Sequence, residues 1–131
     1  MKKLLSIVCL FAIMAVSKAY GQSNITWSIK DDVQKEYFKV NTVFNSHVSG
    51  FKSKAEADAF IMKIKKNADV ASVTVTNADA NGNANVQMVM KTTHDTRYYL
   101  GMAQTLNIEF VEVNRVKKTV QQWQAEEKEN K

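Results

Sequence analysis

Along the chain, apolar and polar positions change rhythm several times, and each rhythm predicts an element. Ile25, Trp27 and Ile29 alternate with polar residues, which suggests a short extended arm. Phe38, Val40, Thr42 and Phe44 alternate with Lys39, Asn41 and Val43, predicting a strand within Lys35 to Val48 with one buried face. The stretch Ser53-Lys54-Ala55-Glu56 fits a capping box, in which a serine oxygen accepts from the third helical amide. Behind it, Ala57, Phe60, Ile61 and Ile64 repeat at helical spacing, with Lys54, Asp58, Lys63, Lys65 and Lys66 turned to water. Ser72 to Thr76 and Val86 to Met90 read as two strands joined by an exposed loop over Asn77 to Asn85, where Asn81-Gly82 marks a turn. Tyr99, Met102, Ala103 and Leu106 then define a second helix from about Asp95 to Leu106, capped by Thr93 or Asp95 and stopped at Asn107. A last strand follows over Ile108 to Val113, and from Lys117 onward the chain is charged and glutamine-rich, with Ala125 to Lys131 expected to be mobile.

The order strand, helix, strand, strand, helix, strand predicts an α+β fold of the ferredoxin-like βαββαβ type. Its sheet would be four-stranded and antiparallel, with two helices on one face. On this reading residues 22–36 are an N-terminal arm, 37–116 the domain and 117–131 a charged C-terminal tail. The second sheet face would stay open to water, a ligand or another subunit, and a homodimer through the sheet is one expectation. Trp27 and Trp123, from the arm and the tail, are placed to reach across that open face.

The first residues change the picture. Lys2 and Lys3 precede an apolar run from Leu4 to Val16, and small or polar residues follow to Gly21. This is the layout of a secretory signal peptide over residues 1–21, cut between Gly21 and Gln22. The run is shorter than the roughly 20 residues a spanning helix needs, so no stable membrane anchor is expected. Cys9 follows Val8 inside the apolar run and belongs to the leader, so a mature chain has no thiolate for metal binding or nucleophilic catalysis. Loss of Lys2, Lys3 and Lys18 takes three of the 18 basic residues, leaving 15 against 13 acidic ones and a net charge of +2. No basic patch interleaved with aromatics remains, which excludes an obvious nucleic-acid surface. The expected address is export, to the periplasm or beyond.

Two resemblances follow from particular residues. Gly50-Phe51-Lys52-Ser53-Lys54-Ala55-Glu56, with the later Val70-Ala71-Ser72-Val73-Thr74-Val75, resembles a heavy-metal-associated domain. In that family the glycine turn carries a Cys-x-x-Cys pair and a "V-x-x-V-x-V" strand follows. Ser53 and Glu56 stand at the cysteine positions here, a hard donor pair that suits copper(I) poorly, so the resemblance implies the fold without the metal chemistry. The stretch from His47 to Ala57, His47-Val48-Ser49-Gly50-Phe51 onward, is also similar to the sporulation-related repeat, a peptidoglycan-binding module. That resemblance implies glycan binding on the sheet, although the second half has Lys91-Thr92-Thr93-His94 where a matching turn would be expected.

The candidate chemistry is sparse. A binding role through the Gly50 loop would draw on His47, Gly50, Phe51, Ser53 and Glu56. An alternative is a periplasmic copper site with Met88 and Met90 on one strand face and His94 four residues on; the simpler account makes the methionines core filler. His94 and Asp95 are adjacent and point about 100° apart on a helix, a poor arrangement for shared acid–base work. No strained serine turn, phosphate loop, zinc spacing or paired-carboxylate motif is present. The expectation is an exported, non-enzymatic binding or accessory domain without a cofactor, whose partner is another exported protein or cell-wall glycan.

Overall fold

The computed structural model describes residues 24–129. Its elements run β1 (Thr26–Ile29), α1 (Tyr37–Val40), β2 (Val43–Ser49), α2 (Lys54–Lys65), β3 (Val70–Thr76), β4 (Ala84–Met90), α3 (Thr96–Thr105), β5 (Phe110–Val113), β6 (Val116–Thr119) and α4 (Val120–Glu129). The strands form one sheet in the order β3-β4-β2-β1-β5-β6. Residues 1–21, read as a leader, lie outside the described residues. Among those described, no helix is long and apolar enough to cross a membrane.

The four-stranded antiparallel ferredoxin-like sandwich is not what forms. Among the described residues the sheet is mixed and six-stranded, and four helices accompany it. The arm is the cause. β1 enters the middle of the sheet, antiparallel to β2 and parallel to β5, with Trp27 opposite Val48 on one side and Val111 on the other. Ile25 and Trp27 are thereby buried. Burying an aromatic of this size removes roughly 150–250 Å² from water, worth several kcal/mol at about 25 cal/mol per Å². A sheet that left this segment outside would forgo that gain.

The tail is also built into the fold. Asn114 and Arg115, both in the left-handed region at φ 52 and 69, make the two-residue turn that folds β6 back on β5. Thr119 and Gln122 then start α4 as a capping box: Gln122 N donates to Thr119 Oγ1 and Thr119 N to Gln122 Oε1. Val120 is buried at 1 % exposure and pins the new helix to the core.

A further departure falls at the first predicted strand. Tyr37–Val40 forms a helical turn, and β2 begins only at Val43. Neighbouring strand residues point to opposite faces. The turn instead lets both Tyr37 and Phe38 pack on Phe44, with ring centroids 5.7 and 5.8 Å away. The Tyr37 hydroxyl donates to Asp31 at 2.8 Å.

The helices lie on one face of the sheet. Trp27 meets Phe60 of α2 edge-on at 6.3 Å, and Phe44 meets Tyr99 of α3 at 4.9 Å. Trp123 of α4 donates its Nε1 proton to Val111 O at 2.7 Å. Phe44, Val48, Val86 and Met88 from the sheet close the core beneath. The opposite face is polar over much of its width. There Gln87 bonds Asn45, His47 bonds Asn85, and Lys117 lies over the Phe110 ring at 4.6 Å.

Burial, the hydrogen bond to Asp31 and its nearby charge raise the Tyr37 phenol above its ordinary value of 10.0. Burial pushes Tyr99 up to about 12, with Tyr98 adding to it. A raised folded-state value means that the folded protein holds these protons longer than the unfolded chain. Their contribution is intact below pH about 10; that of Tyr99 is lost as pH rises through about 12, and that of Tyr37 at still higher pH. Denaturant midpoints measured across that window are expected to fall together with the rise of tyrosinate absorbance.

Candidate functional site

One apolar concavity lies between the sheet and the helix pair α3–α4. It is a cleft of about 200 Å³, walled by Trp27, Phe38, Phe44, Tyr99, Val113 and Trp123 among others. Met88 and Val111 also contribute from the sheet, and Thr96, Glu126 and Glu127 supply the few polar groups. A close-packed interior has few voids larger than a water molecule. An engineered apolar cavity in another protein, of about 150 Å³, takes up benzene. The space here is therefore suited to a single ring or a short branched chain.

Each wall has a local cause. Trp27 is held by β1 between two neighbouring strands, and Tyr99 sits on the inward stripe of α3. Asp95 caps that helix by accepting from Tyr98 N at 3.0 Å. At its other end, Ile108 N reaches Ala103 O at 3.0 Å and Asn107 takes φ 59, a Schellman-type stop. On α4, Trp123, Glu126 and Glu127 share one face through their three- and four-residue spacing. Lys118 of β6 pairs with Glu126, and its Nζ lies over the Trp123 ring at 4.7 Å.

Two polar atoms on these walls are unsatisfied. Trp27 Nε1 and the Tyr99 hydroxyl are buried without a hydrogen-bond partner. Leaving such a group unpaired costs about 1–3 kcal/mol, and native folds seldom tolerate it. Both belong to residues that line the same cleft.

The residues singled out along the Gly50 loop are dispersed. His47 sits on the open sheet face with Nδ1 3.1 Å from Asn85 Oδ1. Phe51 is in the core, 5.3 Å from the Phe60 ring. Ser53 Oγ accepts from Glu56 N at 3.2 Å as the cap of α2. Gly50 has φ +91, and a Cβ there would meet Asn24 O at 1.9 Å, so the glycine admits the backbone leading into β1. The methionine and histidine set is likewise spread out. Met88 lines the cleft, Met90 is buried opposite Val70, and His94 stacks on Tyr98 at 3.9 Å. Among the described residues no group of three or more His, Cys, Asp or Glu side chains is placed to hold a metal ion.

Trp27 and Trp123 were expected across the open face, but the structure sets both on the helix side. No local pattern announces the cleft, because its walls come from β1, β2, β4, β5, α1, α3 and α4 together. The one readable signal nearby was Thr119-x-x-Gln122, a capping-box spacing that marks α4.

Comparison with family models, curated proteins and solved structures finds no match to this chain.

Two substitutions check these assignments. Gly50→Ala is expected to destabilise the fold by about 3 kcal/mol or more, through its backbone clash and positive φ. Tyr99→Phe removes a hydroxyl with no partner, so the unliganded protein is expected to keep its stability or gain about 1 kcal/mol. Urea unfolding measures both, and a loss in Tyr99→Phe would show that the hydroxyl is bonded.

Proposed function

We propose that this chain is a non-catalytic binding domain that seats a small, largely apolar molecule in the cleft between its sheet and helices α3 and α4. The observation that carries this reading is the pairing of a walled apolar space with unspent hydrogen-bonding capacity on Trp27 and Tyr99. Small-molecule sites commonly combine an apolar wall with a few polar groups in this way. The reading borrows nothing from the heavy-metal-associated or sporulation-related resemblance.

Several features fit binding better than catalysis. Among the described residues no nucleophile paired with a base lines the cleft, and the histidines at positions 47 and 94 are not among its walls. The leader-like pattern over residues 1–21 supports an exported setting, where a small carrier or sensor would meet its ligand outside the cytoplasm.

Benzyl alcohol, a single ring with one hydroxyl, is a suitable first probe. It is expected to bind saturably, to change the tryptophan fluorescence and to raise the thermal midpoint. Val113→Phe, which enlarges a half-buried wall residue, should abolish binding while leaving a cooperative unfolding transition. Failure of a panel of single-ring compounds to shift either signal would overturn the reading.

A further inference from the structure

We infer that the ligand is an organic cation: a single-ring-sized apolar body bearing an ammonium group, with the ring in the cleft and the charge at Glu126 and Glu127. This rests on the reading of the cleft as a binding site and names the chemical class it takes. Five aromatic side chains, Trp27, Phe38, Phe44, Tyr99 and Trp123, line the space, and their faces attract a cation electrostatically. The acidic side chains on the walls are Glu126 and Glu127, and among the described residues no lysine or arginine lines the cleft. An anion would therefore meet repulsion there, and a neutral molecule would leave the charge unused.

A second observation shows how an ammonium is received. The protein's own Lys118, on β6, lies against two of the wall residues without lining the cleft itself. Its Nζ lies 4.7 Å from the centre of the Trp123 ring and pairs with the Glu126 carboxylate. An ammonium is thus already held by an aromatic face and a carboxylate, the two contacts a ligand cation would make. Glu127 has no ion-pair partner among the described residues, so one carboxylate remains for the incoming charge. Trp27, one of the same walls, also carries an enclosed Nε1 with no hydrogen-bond partner. Lys118 then acts as a resident competitor, displaced in part when a ligand amine arrives.

The test uses three probes that share one ring: benzylamine, benzyl alcohol and benzoate, titrated into the purified protein by calorimetry. Benzylamine is expected to bind about tenfold more tightly than benzyl alcohol, with benzoate weakest. In the Glu126→Gln, Glu127→Gln double variant benzylamine should bind no more tightly than benzyl alcohol does to the same variant. Lys118→Met, which removes the competitor, should tighten benzylamine severalfold, and by more than it alters the alcohol. Val113→Phe separates the cleft from the surface: amine binding that persists in it is superficial and overturns the inference. Alcohol bound as tightly as amine also overturns it, while the cleft keeps its role as a binding site. If no probe binds, both readings fall.

Discussion

The place of β1 is the constraint on which the rest depends. Four residues inserted between β2 and β5 turn an antiparallel sheet into a mixed one and carry Trp27 to the middle of its helix-covered face. Without that insertion Val48 and Val111 would not flank an indole, and the cleft would lose one of its walls. The insertion also imposes Gly50, because the chain entering β1 passes so close that no side chain fits. A short arm thus decides the sheet order, the identity of a turn residue and the position of the candidate site.

The C-terminal segment depends on the same arrangement. β5 lies beside β1, and the Asn114-Arg115 turn folds β6 onto the outer edge of β5. β6 delivers Lys118 and then α4, whose Trp123 is tied to Val111. The sheet has two unlike edges as a result. β6 is short and lysine-bearing, features that discourage further strand pairing, and α4 follows it directly. β3 is longer and carries no charge, and its pairing with β4 shifts register between Val70 and Ser72.

The site also illustrates a tension between stability and binding. A chain selected only to fold would fill the space beside Phe44 and Met88 and would pair or remove the buried hydroxyl of Tyr99. Here an aromatic cluster of Phe38, Phe44, Tyr98 and Tyr99 packs well on one side, with centroids 4.9 to 5.8 Å apart. The same Tyr99 faces an under-filled region on the other. Around the Gly50 loop, by contrast, Phe51 fills the core, Ser53 caps α2 and Gly50 admits the backbone leading into β1.

What the sequence determined by itself were the elements whose signals are local. Ser53 with Glu56, Asp95 with Asn107, and the alternation through β3 and β4 each rest on bonds or faces within a few residues, so their patterns survive folding. The capping box at Thr119 and Gln122 belongs to this class and was open to view. Only the tertiary structure decided which strands are neighbours, that Tyr37 and Phe38 turn together toward Phe44, and that Trp27, Tyr99 and Trp123 share one cleft. Those outcomes turn on how much apolar surface competing arrangements bury over long separations, and a pattern of nearby residues carries no record of that sum.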